Sequence, residues 1–283
     1  MESIPRRLVA VVTPVPRFPV TSDEEISIRH LRKYLGRFDR YMIGPRRLPE
    51  GFSDFTLRQF PARYFSNHLS YNRLLLTEKF YRTFEAYEYI LIYQLDCLVF
   101  AGNLEEWCRQ GWDYVGAPWL RNEAVPEEGF FAVGNGGFSL RRVSSALAVL
   151  HSKRLVQDPA LRGSDPGRLA SIYKRLGPRF PVARLIRAIK IFLHRRGYHN
   201  NIRWLTKKLA NVGLYEDYFW SLGACAYVAD FRIPTPVEAL NFSFETAPRY
   251  CLAANSGRMP FGCHAWTKYD RSFWEPFLLS QSD

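Results

Sequence analysis

The run Tyr89-Ile-Leu-Ile-Tyr-Gln-Leu95, followed at once by Asp96, constrains this chain more than any other stretch. A continuous apolar run of strand length marks a central parallel strand buried on both faces, because a strand with one wet face would alternate. Just before it, SNHLSYNRLLLTEKFYRTF (66–84) sets Leu69, Leu76, Phe80 and Phe84 at helical spacing and predicts one helix. The same alternation runs through the chain. Arg7–Thr13 (RLVAVVT) reads as a strand closed by Pro14 and Pro16. SDEEISIRHLRKYLG reads as a helix with Ser22 as N-cap, Glu25 completing a capping box and Gly36 as the stop. RYMIGP and LRQFP follow as strands, NLEEWCRQ as a helix, DYVGAP and GGFSLRR as strands, and VSSALAVLHSKRL and EDYFWSLGACAYV as helices. A strand near FRIPTP and an irregular aromatic tail complete the reading. Strands alternating with helices predict an α/β fold, with a mostly parallel central sheet flanked by helices.

A length of 283 residues fits one such unit, and a hydrophobic share of 47% is enough for a large core. The opening MESIPRRLVAVVTPVPRF holds one short apolar run, LVAVV, the length of a strand rather than of a signal or membrane segment. Cys97, Cys108, Cys225, Cys251 and Cys263 form no close CxxC pair. Unpaired thiols in a reducing, cytoplasmic compartment are the expectation.

The net charge of +12 is unevenly placed. Residues 151–210 hold fifteen Lys/Arg against two acids, which leaves the rest of the chain near neutral. Within them ARLIRAIKIFLHRR puts Leu185, Ile189 and Phe192 at helical spacing among cations. Such a helix can lie on an anionic membrane face, so residues 183–208 suggest a peripheral position at the inner membrane; a solvated helix packed on the core explains them equally well. Clustered charge also gives non-specific nucleic-acid affinity. No RNP, zinc-finger or helix-turn-helix signature accompanies it, and no specific nucleic-acid partner is expected.

Four motifs carry chemistry. Ligands of open α/β sheets collect outside the carboxyl ends of strands, where Asp96 stands. A carboxylate there can share a Mg²⁺ or Mn²⁺ with phosphate oxygens, or simply cap the next turn. His264 in PFGCHAW offers imidazole from a second segment, or is a packed residue beside Trp266. Glu216 and Asp217 open a helix, where acids are favoured by the dipole; one of them can instead deprotonate an acceptor hydroxyl. Gly134, Asn135, Gly136 and Gly137 lack both the GK[ST] and the GxGxxG contexts. Glycines there let the backbone approach a ligand closely, or serve a turn. Trp119, Trp220 and Trp266 suit sugar stacking, and suit burial better.

The ordered set YNRLLL, LIYQLDCLVF, DYVGAPW, GNGGFSLR, EDYFW and CHAW resembles the GT-A superfamily of nucleotide-sugar-dependent glycosyltransferases. It is similar in particular to a family catalogued only as domain of unknown function 5672. The resemblance covers roughly residues 8–145 and 213–268. It implies a single GT-A-like domain: a nucleotide-sugar half (6–150), a basic helical insert (151–210) and an acceptor half (211–270). It also implies a metal-dependent, inverting transfer of a sugar from a nucleotide-diphosphate donor to a glycan or lipid-linked acceptor. Asp96 and His264 would bind Mn²⁺ or Mg²⁺, with Gln94 where the family's DxD motif has its first acid. Asp217 would be the base and Glu216 its runner-up. Asn135, Gly136 and Gly137 would line the sugar site, Thr13 and Pro14 would lie near the nucleobase, and Arg73 would meet the diphosphate. A catalytically inactive sugar- or nucleotide-binding module is the alternative, with a basic nucleic-acid binder behind it.

Overall fold

The protein is seen in a computed structural model that describes residues 6–152, 154, 189, 192 and 215–280. Nearly all of the basic segment of 151–210, with the amphipathic helix expected over 183–208, lies outside the described residues. Among the described residues, no helix is long and apolar enough to cross a membrane.

The fold is α/β, as the strand and helix alternation predicts. Its central sheet contains β1 (Arg7–Pro14), β2 (Asp39–Gly44), β3 (Thr56–Gln59), β4 (Tyr87–Tyr93), β6 (Tyr114–Val115) and β9 (Phe138–Arg142). They lie in the order β3-β2-β1-β4-β9-β6. The first four run parallel, and β9 is antiparallel to both of its neighbours. The chain thus builds outwards from β1 through β2 and β3, then crosses to place β4 on the other side of β1. That reversal opens a crevice at the carboxyl ends of β1 and β4, where ligands of such sheets bind.

Side chains of β1 and β4 alternate between two cores, because successive strand residues point to opposite faces. Ala10, Val12, Ile90 and Ile92 enter one core with Phe80, Tyr81, Phe84, Val143 and Trp220. Val9, Val11, Tyr89, Leu91 and Tyr93 enter the other with α1 (Ser22–Leu35) and α4 (Leu104–Arg109), through Ile28, Leu31, Leu35 and Trp107. Each fully buried large apolar side chain contributes roughly 1.5–3 kcal/mol, so the double cover holds the strand ends firmly.

Several local readings need correction. The N-cap of α1 is Thr21, not Ser22, and its capping box closes with Glu24, not Glu25. The helix expected over 66–84 is two helices, α2 (His68–Leu74) and α3 (Glu78–Arg82). Thr77 caps α3 by accepting from the Phe80 amide, so a second helix starts where the apolar spacing reads straight through. Residues 231–235 form no strand. Arg232 instead exchanges bonds with Asp113, donating its amide to the carboxylate at 2.7 Å and accepting the Asp113 amide at 2.8 Å. The helix over 216–227, here α6, contains a π turn at Phe219–Gly223. Single π turns often stand at functional sites.

Two small sheets went unpredicted. β7 (Pro118–Leu120) pairs with β8 (Phe130–Val133). The other sets β10 (Ser243–Phe244) parallel to β11 (Gly262–Cys263), which runs antiparallel to β5 (Leu98–Val99). A third core of Phe244, Cys251, Cys263, Trp266 and Trp274 supports this clamp. All five cysteines are free.

Candidate active site

The small clamp assembles one half of the site. Because Phe244 pairs with Cys263, the next residues, Glu245 and His264, leave their strands side by side. Asp96 is tied to the same clamp, since its carbonyl accepts the Trp266 amide at 3.2 Å. His264 therefore sits between two carboxylates. Its Nδ1 is 2.8 Å from Oε1 of Glu245, and its Nε2 is 3.4 Å from Oδ1 of Asp96. Oε1 of Gln94 is also 3.4 Å from Nε2. Burial pushes the imidazole down, but Asp96 and Glu245 more than offset it and raise it to about 10. For Asp96, burial pushes the carboxyl up, and His264 overrides this to hold it below the usual range.

Asp96 Oδ1 is buried and has no hydrogen-bond partner. Buried polar atoms are nearly always paired, and this oxygen instead faces the His264 imidazole at 3.4 Å, beyond hydrogen-bond reach. Asp96, Cys97 and His264 present donor atoms within 4.8 Å of one another. The carboxylate oxygen suits Mn²⁺ or Mg²⁺, while the imidazole favours Mn²⁺ over the harder Mg²⁺. Cys97 suits them less: burial raises its thiol far above the usual value, and its Sγ faces the Gly137 carbonyl at 3.2 Å.

The glycine turn is shaped around this centre. A Cβ on Gly137 would stand 2.2 Å from Nε2 of His264, so only glycine leaves the imidazole its place. Asn135 adopts φ 71°, and its Oδ1 accepts the amides of Gly137 and Phe138 at 2.8 and 3.2 Å. Its Nδ2 is buried without a partner. Left-handed backbone recurs at Ala247 (φ 46°) and Ala265 (φ 52°), beside the segments that carry Glu245 and His264. For alanine this costs about 1 kcal/mol each, and such strain gathers at functional sites.

Glu216 and Asp217 part company. Glu216 is buried, with both oxygens held by Arg141 at 2.7 and 2.8 Å. The other Arg141 donors reach Ser139 Oγ at 3.0 Å, Tyr81 OH at 3.2 Å and the Gly136 carbonyl at 3.4 Å. All five guanidinium N–H groups are used. The Glu216 amide meets Oδ1 of Asn72 at 3.1 Å. Each Glu216 oxygen thus accepts one Arg141 N–H, and its side chain is only 1% exposed. Asp217 is half-buried, and its Oδ2 accepts the Gly136 amide at 3.2 Å. Burial first, then the charges of Glu216 and Glu245, raise its carboxyl to about 7.

Among the remaining residues singled out, Thr13 and Pro14 are buried at the end of β1, and Thr13 Oγ1 has no partner. Arg73 is exposed on α2. Trp220 and Trp266 are buried in the cores, while half-buried Trp119 stacks on Tyr218 with ring centroids 4.4 Å apart. Sequence reasoning missed Glu245, Arg141 and Asn72. Arg141 had a weak signal, as a charge inside the buried strand FSLRR. Glu245 had one too, as the lone acid after the aromatic run FSF.

Residues 54–264 match the model of a family described as a protein of unknown function, DUF5672. The chain belongs to the DUF5672 family. The DUF5672 span takes in Gln94, Asp96, the glycine turn, Glu216, Asp217, Glu245 and His264, and leaves Thr13 and Pro14 outside. It also runs across the basic segment that the motif resemblance omits. No curated protein matches the sequence. Among solved structures, this DUF5672 member is similar to the galactosyltransferase LgtC in complex with donor and acceptor sugar analogues, at 10% identity and a TM-score of 0.45, over 90% of this chain and 86% of that one. It is also similar to the apo structure of the bifunctional glycosyltransferase WbbM, at 10% identity and a TM-score of 0.41, over 93% of this chain and 46% of that one. The chain thus spans about half of WbbM. At these TM-scores neither likeness fixes an activity or a residue's role.

Proposed function

We propose that this protein is a metal-dependent glycosyltransferase of GT-A type, moving a sugar from a nucleoside-diphosphate donor to a hydroxyl of a glycan or lipid-linked acceptor. One observation carries the reading: a buried, unpartnered carboxylate oxygen on Asp96, facing His264 Nε2, just past the carboxyl end of a central strand. The strand order reverses beside that end, which supports a crevice for the nucleotide.

Asp96 and His264 would hold Mn²⁺ or Mg²⁺, which when bound neutralises the charge of the departing diphosphate. Asp217 is the general base. It takes the proton of the acceptor hydroxyl as that oxygen bonds to the anomeric carbon and the bond to the diphosphate breaks. A direct displacement of this kind inverts the anomeric centre. A carboxyl near 7 is half ionised at neutral pH, which suits a base. Arg141 positions Asp217 indirectly, by fixing Glu216 next to it. The Gly136 amide orients the base through Oδ2. Asn135 Nδ2, buried without a partner, is free to take a sugar hydroxyl.

The test is nucleotide release from UDP-, GDP-, dTDP- and CMP-sugars with Mn²⁺ or with EDTA. Slow hydrolysis of one donor, requiring the metal and abolished by Asp96→Ala, is the expected result. Silence across the panel, with no nucleotide-dependent thermal shift, would leave a non-catalytic module instead. A lipid-linked acceptor at an anionic membrane rests on the charge of residues 183–208 alone; flotation with anionic vesicles tests it, and no binding at low salt removes it.

A further inference from the structure

Gln94 stands where the resemblance expects an acid, and its amide oxygen joins the same focus as the Asp96 carboxylate. Nε2 of His264 lies 3.4 Å from Gln94 Oε1 and 3.4 Å from Asp96 Oδ1. Both distances are long for a hydrogen bond, and the Asp96 oxygen makes none. They match the spacing of neighbouring ligands around one cation, roughly 3.0–3.4 Å for metal–ligand bonds of about 2.1 Å. Two features hold Gln94 there. Its backbone amide donates to the Gly137 carbonyl at 2.9 Å, and its backbone carbonyl accepts the Cys97 amide at 3.0 Å.

The far side of the imidazole is fixed as well. With Glu245 Oε1 at 2.8 Å, Nδ1 keeps a proton to donate, so a cation that displaces the other proton meets Nε2 facing Asp96 and Gln94. A carboxylate behind a ligating histidine fixes its tautomer and increases its basicity. Ala247 and Ala265, both left-handed, bend the two segments so that these side chains meet.

We propose that the divalent cation is held by three side chains, Asp96 Oδ1, His264 Nε2 and the neutral carbonyl oxygen of Gln94, with Glu245 orienting His264 from behind. This rests on the metal-dependent reading above and deepens it. The site then brings a single ligating carboxylate to the cation, so the phosphate oxygens of the donor supply much of the remaining negative charge. Amide oxygens are ordinary ligands of hard cations.

The experiment is a titration of the full chain with MnCl₂, with and without a nucleoside diphosphate (UDP, GDP, dTDP or CDP), reading free Mn²⁺ by its paramagnetic resonance signal. Gln94→Ala is expected to weaken binding about 10-fold, and Gln94→Glu to tighten it by a similar factor by adding a charged ligand. Glu245→Gln is expected to weaken it about 10–100-fold, with partial recovery in Glu245→Asp. Tighter binding in Gln94→Glu cannot arise from misfolding, so the prediction survives a fragile Gln94→Ala. Binding that is lost in Asp96→Ala yet unchanged in every Gln94 and Glu245 variant would overturn the three-ligand site and leave the metal reading standing. No Mn²⁺ binding by the wild type under any condition would overturn both.

Discussion

Two carboxylates of this protein sit in opposite situations. Glu216 is buried against Arg141, and every donor of that guanidinium is used. The Asp96 side chain is 44% exposed, yet one of its oxygens is buried without a hydrogen bond, with the His264 imidazole at 3.4 Å. The first arrangement is complete in the protein alone. The second leaves an acceptor open. The two acids differ in burial and, more sharply, in hydrogen-bond satisfaction.

Asp217, which touches the glycine turn between the two regions, should give the largest effect. Asp217→Asn is expected to lower turnover about 10²–10⁴-fold in steady-state kinetics while leaving Mn²⁺ affinity unchanged. In the wild type the rate should rise with pH through about 7, as Asp217 loses its proton. A variant with full turnover would remove the base assignment.

Next comes the closed pair. Glu216→Gln leaves Arg141 buried beside a neutral amide and should cost about 3–5 kcal/mol in urea unfolding. Asp96→Asn, by contrast, should cost less than Glu216→Gln in EDTA, because Glu245 still pairs with His264, while losing metal-dependent turnover. Equal losses in the two variants would dissolve the contrast.

Asp217 also links to stability, with a definite sign. Its folded-state carboxyl is raised from 3.8 to about 7, so the folded protein keeps a proton that the unfolded chain releases. Wild-type stability therefore falls as pH rises from about 4 to 7. Asp217→Asn should remove that penalty. It should gain roughly 1–3 kcal/mol at pH 8, after a discount for partial exposure, and nothing near pH 3.5.

The adjacent glycines give the finest probe. A Cβ on Gly136 would lie 2.3 Å from Glu216 Oε1, and one on Gly137 2.2 Å from His264 Nε2. Gly136→Ala should cost about 1–3 kcal/mol in stability, by disturbing the closed pair. Gly137→Ala should appear mainly as weaker Mn²⁺ binding, in calorimetry, with a smaller change in midpoint.

The α/β alternation was legible because β1, β4 and α1 write their periods into 8, 7 and 14 residues. The clamp was not, since strands of two residues such as Ser243–Phe244 and Gly262–Cys263 carry no period. The break between α2 and α3 was hidden for a related reason: an apolar spacing of four runs through Thr77 unchanged, and only the capping hydroxyl stops the helix. Asp96 and His264 entered the reading through motif order, and the structure brings them together. Glu216 and Asp217 read alike in sequence, because the Arg141 that pairs with Glu216 lies 75 residues away. Glu245 belongs to no motif. Its importance comes from a strand pairing that places it beside His264.

The most direct test of the central claim is the urea midpoint of wild type and Asp96→Asn, each in EDTA and in saturating MnCl₂. If this carboxylate is reserved for a cation, the two proteins should differ in EDTA only by the ion pair lost with His264. Mn²⁺ should then raise the wild-type midpoint alone, because a ligand that binds only the folded state stabilises it. A large loss for Asp96→Asn in EDTA, with no response of the wild type to Mn²⁺, would mean that Asp96 is a structural partner of His264 and not a metal ligand.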